Sequence, residues 1–174
     1  MLRDEIIEAI VASGFDEYKE ISSTDLIFDE AVFASCAENK CGNYGRNHSC
    51  PPLSGDLKEN QARFLKYEHG IIINKIVDYG EFYENYATAG LEVEKALDNL
   101  RKLLEDKPVM IAGAGGCRIC KECAAITDEP CRFPDKRRYS MEGSGMDIVK
   151  MSLKFKMTYN AGNNRLGFFM IVMY

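Results

Sequence analysis

Seven cysteines fall into two groups, Cys36, Cys41 and Cys50 in the first and Cys117, Cys120, Cys123 and Cys131 in the second, with none between residues 51 and 116. An odd number of thiols cannot pair completely. Thiols clustered in a reducing compartment hold metal or do chemistry more often than they form disulfides. In the second group a CxxCxxC run wraps a short loop so that three sulfurs converge, and Cys131 completes a set of four after a further loop. Ferredoxin-type runs bind a cubane cluster in this way, although there the fourth cysteine is closer and proline follows it, whereas here Pro130 precedes Cys131. Zinc also accepts four thiolates, usually from two CxxC knuckles well apart. The spacing therefore predicts a [4Fe-4S] cluster, with zinc as the alternative and a metal-free thiol role as the third reading.

The residues beside the second group suit a cluster carrying net negative charge. Gly115 and Gly116, with Gly113 before them, let backbone N–H groups approach sulfur closely, while Arg118, Lys121 and Arg132 bring positive charge. Gly115, Gly116, Arg118 and Arg132 are accordingly the expected cofactor-binding residues. The GAGG stretch is not a dinucleotide fingerprint, because Arg118 stands where the third glycine would be needed.

Cys36, Cys41 and Cys50 leave a tetrahedral or cubane site one ligand short. His48 could supply the fourth, against the plainer reading of a surface loop histidine. The position could also stay open to water or substrate, as a catalytic metal requires, or one of the three thiols could join the other group. Neither group shows the CxxxCxxC of radical-SAM enzymes. A nucleophilic cysteine would be a lone thiol with a histidine base.

Two longer stretches, CGNYGRNHSCPP at residues 41 to 52 and GCRICKECAAITDEPCRFPDKRRYSMEGSGMDI at residues 116 to 148, resemble the domain of unknown function 2284 family, described as predicted metal-binding proteins of bacteria and archaea. The resemblance spans most of the chain. It implies metal binding, with both cysteine groups at matching positions, and it implies no particular reaction. Ser140 and Glu142 in the second stretch fit a helix cap and first turn.

The elements that must carry these loops read as α/β. The apolar spacing of Leu2, Ile6, Ile7, Ile10 and Val11 predicts a helix over residues 2–12, stopped by Ser13-Gly14. Residues 26–28 and 32–34 read as short extended pieces. A helix follows Pro51-Pro52, capped near Ser54, with Leu57, Phe64 and Leu65 turned inward and its end near Glu68. Ile71 to Val77 is β-branched and nearly continuous, as in a central strand covered on both faces. Val93, Leu97, Leu100 and Leu104 predict an amphipathic helix between Phe82 and Glu105, and Val109 to Ala112 a strand running into Gly113. Strand, helix and strand suggest a crossover between parallel neighbours. Val149, Met151, Leu153, Phe155 and Met157 alternate with polar residues in the manner of a strand, after a brief helix near Met146. A turn at residues 160–164 and an apolar strand over 166–173 close a C-terminal hairpin.

The expected architecture is a single α/β domain over residues 1–174, with a mixed, largely parallel sheet, flanking helices, a C-terminal β-hairpin and cysteine-rich metal loops. The start of the chain lacks the features of a secretory signal, and the longest apolar run, FFMIVM, is far short of the roughly 20 residues that span a bilayer. A cytoplasmic protein, not at a membrane, is expected. A net charge of -5 argues against nucleic-acid binding, and Lys136, Arg137 and Arg138 read as a small solvated basic spot. Three functions follow from these readings: an iron–sulfur redox or accessory protein serving a partner enzyme, a metalloenzyme with an open site at the three-cysteine group, and a structural-zinc interaction domain. The last apolar strand, if it lies at a sheet edge, could also pair with a second copy in a homodimer.

Overall fold

The computed structural model describes residues 1–174. Helix α1 (Leu2–Ala12) is followed by strand β1 (Glu17–Ser22), helix α2 (Glu30–Ser35), helix α3 (Leu57–Leu65) and strand β2 (His69–Asp78). Helix α4 (Tyr86–Leu103), strand β3 (Met110–Ala112), helix α5 (Ile148–Phe155), strand β4 (Asn160–Gly162) and strand β5 (Arg165–Met173) complete the chain. None of the helices is long and apolar enough to cross a membrane.

The sheet has the order β1-β2-β5-β3, with β4 paired to the end of β5, and every strand pair is antiparallel. The expectation of a largely parallel sheet is thus overturned. β2 and β3 do run the same way, since each is antiparallel to β5, but β5 lies between them and they never pair. The near-continuous apolar runs of β2 and β5 reflect burial on both faces, which parallel sheets always have and which an antiparallel sheet acquires when helices cover both sides. Here they do. Ile71, Ile73, Met170 and Val172 pack with Ile6 and Ile10 of α1 and Val93, Leu97 and Leu100 of α4. On the other face, Ile72, Phe169, Ile171 and Met173 pack with Phe64 of α3, Met151 of α5, and Met141 and Met146.

Three local expectations also give way. Residues 32–34 are helical, because Asp29 caps α2 by accepting the Ala31 N–H at 2.8 Å. The alternation from Val149 to Met157 is a helix over most of its length: Asp147 accepts the Lys150 N–H at 2.9 Å, and Ile148, Met151, Ser152 and Phe155 make the inward stripe. Period two and period 3.6 share several positions in that stretch, and the cap breaks the tie. Leu65 points outward, while Leu57 is half-buried and Phe64 fully buried; the cap of α3 is Asp56 rather than Ser54, in a capping box with Glu59. β1 had no sequence signal, being polar and largely exposed at the sheet edge. β5 is interior to the sheet, paired along its whole length with β2 and at Ile171–Met173 with β3, rather than an outermost strand.

The C-terminal hairpin forms as expected, although β4 has only three residues. Behind it, the Asn74 side chain, fully buried in β2, donates to Glu17 at 2.7 Å and to the Thr158 carbonyl at 2.9 Å. Glu17 in turn accepts the Thr158 N–H and hydroxyl, both at 2.8 Å. This polar node ties β1 and β2 to the approach of the hairpin.

Candidate metal centre

The two cysteine groups come from distant parts of the chain and meet. The first follows α2, with Cys36 at its C-cap, and continues through the turn-rich segment that ends at Pro51-Pro52, whose peptide bond is cis. The second begins where β3 gives way to Gly113, which is held against the next strand-like segment by Gly113 N–H to the Tyr139 carbonyl at 3.0 Å. β3 therefore delivers Cys117 to the same side of the molecule as the first loop.

The first loop docks onto the second through two buried polar residues. Asn47 Nδ2 donates to the Cys117 carbonyl at 2.9 Å, and the Cys117 N–H donates to Ser49 Oγ at 2.9 Å. Asn47 Oδ1 accepts both the N–H and the hydroxyl of Ser49, at 3.1 and 2.9 Å, so the two side chains hold each other in place. Approach is close at Gly116: a Cβ there would stand 2.9 Å from Asn47 Nδ2 and 3.2 Å from Asn43 Cγ. Gly115, at a φ of +76°, makes the turn that presents this backbone.

His48 bridges the loops rather than standing free. Its Nε2–H donates to the Glu129 carbonyl at 2.8 Å, and its backbone N–H points at Cys123 Sγ at 3.5 Å. Arg137 donates to the His48 carbonyl at 3.4 Å. Burial opposes the charge of Arg137, but Tyr139 and the thiol of Cys131 beside it outweigh that effect and raise its pKa. Arg118 lines one hollow with Cys117, Cys120 and Cys123 and pairs with Glu94 at 3.6 Å, while Arg132 pairs with Glu129 at 3.6 Å and donates to the Glu122 carbonyl at 3.1 Å. Asn47, Ser49 and Arg137 add contacts to the cysteine loops beyond those residues. Nothing in the sequence marks them, since Asn47 and Cys117 are 70 positions apart. The His69 ring packs at a tilt against Tyr174, with ring centroids 5.5 Å apart.

All seven thiols are free. Cys50 is the most enclosed, at 8% exposure; burial pushes its thiol up to about 11, Ser49 works against this, and Cys41, Cys36 and Cys123 push further upward. The surroundings of Cys50 thus draw on both groups. Cys36 is raised as well, first by burial, then by Cys41 and by Glu142. Glu142 is open to solvent in a hollow crowded by protein, and that crowding pushes its carboxyl up to about 7. Ser140 Oγ accepts the Gly143 N–H at 3.0 Å, but Ser140 is not the helix cap expected of it: the turn at Glu142–Ser144 starts from Met141, and Asp147 caps α5.

No three His, Cys, Asp or Glu side chains converge closely enough to hold one ion. The donor set nevertheless fits a thiophilic metal: seven unpaired thiols on two interlocked loops, soft ligands of the kind iron–sulfur clusters and zinc take. Across residues 19–174 the chain matches the family model described as "Predicted metal-binding protein (DUF2284)". No curated protein matches the chain. No solved structure matches it either. On that span and on the cysteine loops just described, the chain belongs to the DUF2284 family of predicted metal-binding proteins.

Proposed function

We propose that this protein carries an iron–sulfur cluster, with Cys117, Cys120, Cys123 and Cys131 as ligands of a [4Fe-4S] centre, and acts as a redox or accessory protein to a partner enzyme in the cytoplasm. When bound, the cluster supplies one-electron transfer. The observation that most supports this reading is the docking of the first loop onto the second, which brings the His48 N–H to Cys123 Sγ and Arg137 beside Cys131. Donors aimed at ligand sulfurs offset negative charge there and help set the potential of a cluster. Cys36, Cys41 and Cys50 provide further thiolates next to it, and the nearness of Cys50 to Cys36, Cys41 and Cys123 supports a role for it with either group.

A second reading has its own support. Val32 and Cys36 lie one helical turn apart in and after α2, and Val32 with Glu142 lines an apolar hollow of about 300 Å³. A metal held by the three-cysteine group, with an open coordination position, would have room there for a small substrate and a carboxyl group beside it.

Quantifying iron, zinc and acid-labile sulfide in protein purified without oxygen decides among these readings. Iron with matching sulfide, lost in Cys120→Ala, is the expected result. Zinc without sulfide would replace the cluster with a structural-zinc interaction domain, and neither metal would end both readings. Loss of metal in Cys36→Ala while the four-cysteine site stays loaded would give the enzyme reading its own site.

A further inference from the structure

The cleft between α3, the end of α4, β3 and the turn around Pro134 collects positive charge. Arg63 and Lys66 reach it from α3 and Arg101 from α4, with Lys107 just beyond that helix. The segment after Pro134 adds Lys136, Arg137 and Arg138 from the opposite wall. Seven of the chain's 22 lysines and arginines thus line one hollow of about 490 Å³, in a protein of net charge -5. The three basic residues that look like solvated surface in sequence are one side of this arrangement.

Nearby carboxylates leave much of that charge unanswered. Asp98 is shared between Arg101 and Arg138 at 3.1 Å from each, and Glu5 holds Lys107. Glu105 and Asp135 line the cleft without an ion pair to it, and Arg63, Lys66, Lys136 and Arg137 have no carboxylate partner. The Nε of Arg137 is enclosed and makes no hydrogen bond. Burial, and then Arg138, work against the charge of Arg101, a repulsion that a bound anion would relieve.

The shape and chemistry narrow the ligand. A concave site of this volume is in the range of small-molecule pockets, about 300 to 1,000 Å³. Guanidinium forks grip phosphate in bidentate fashion, and a cleft lined by one sign of charge concentrates its field. The aromatic faces at hand are already covered: Arg63 lies 3.8 Å over the Tyr139 ring and Lys66 lies 5.1 Å over Tyr67. Little surface remains for stacking a base, so recognition falls to charge. We propose that this cleft binds a small phosphorylated anion of pyrophosphate to nucleoside-diphosphate size, held by Arg63, Lys66, Lys136, Arg137 and Arg138. The cleft adjoins the cysteine loops through Arg137, which donates to the His48 carbonyl. It requires no bound metal.

Calorimetric titration at low salt with inorganic pyrophosphate, ADP and adenosine tests this. Pyrophosphate and ADP should bind with similar affinity and adenosine should not, and raising the salt should weaken both anions. The double variant Lys66→Gln, Lys136→Gln removes two exposed cations that hold no ion pair, so its melting temperature and metal content should stay at wild-type values. Its affinity for pyrophosphate should fall by roughly tenfold or more, as expected when charge-assisted contacts are lost. Silence from both anions, or unchanged affinity in the double variant, overturns the proposal. So does an acidic peptide that binds this cleft more tightly than pyrophosphate, or ADP binding that adenosine matches.

Discussion

Replacing Asn47 by alanine removes the residue that locks the two cysteine loops together. Asn47 is 5% exposed and makes three hydrogen bonds: one to the Cys117 carbonyl at 2.9 Å and two from Ser49, at 3.1 and 2.9 Å. A hydrogen bond contributes about 1 kcal/mol net, and a buried partner left unsatisfied costs about 1–3 kcal/mol. The Ser49 hydroxyl keeps a role as acceptor of the Cys117 N–H, so only part of that penalty applies. The sum comes to about 3 kcal/mol. For a chain of this length, 1 kcal/mol shifts the melting temperature by about 2–4 °C, so Asn47→Ala should melt roughly 6–12 °C below the wild type. The loss should be local to the cysteine loops. Hydrogen exchange should quicken at Cys117 and through residues 41–50 while the amides of β2 and β5 keep their protection. Metal content should fall or become labile in the same variant, because ligation and loop order are one equilibrium. A variant that melts with the wild type and exchanges at the same rate through both loops would show that this docking is not what holds them.

Two further outcomes follow from the packing. Asn74→Ala withdraws the donor that Glu17 and the Thr158 carbonyl share inside the sheet, and it should cost about 2–3 kcal/mol in denaturant melts with the cysteine loops' metal unchanged; a loss under 1 kcal/mol would mean that the node is not closed to water. Tyr79, 6% exposed and ringed by Tyr83, Tyr86 and Phe168, has its phenol pushed up to about 12 by burial, with smaller contributions from neighbouring tyrosines. Because the folded state holds that proton more tightly than the unfolded chain, the associated stability is fully present below about pH 10 and is lost as pH rises toward 12. It is worth at most about 3 kcal/mol, since one pKa unit corresponds to about 1.4 kcal/mol. Tyr79→Phe should therefore flatten the alkaline limb of the stability profile, and an unchanged limb would place the titration elsewhere.

Several parts of this molecule were legible from residue type and spacing alone. The amphipathic stripes of α1 and α4 and the β-branched run of β2 fixed those elements because local periodicity and burial coincide there. The cysteine spacing, with the two long motifs around it, pointed to metal and to the family. The sheet's direction was not legible, since a strand buried on both faces looks the same in sequence whichever way its neighbours run; the insertion of β5 between β2 and β3 is a long-range choice. α5 was ambiguous because its apolar residues serve both periods until Asp147 caps the helix. The meeting of the two cysteine loops, the Asn47 and Ser49 latch, and the cleft that gathers Arg63 and Lys66 with residues 136–138 all join residues far apart along the chain. Composition sets what a side chain can bind, but which side chains share a site is decided only when the sheet brings their loops to one side.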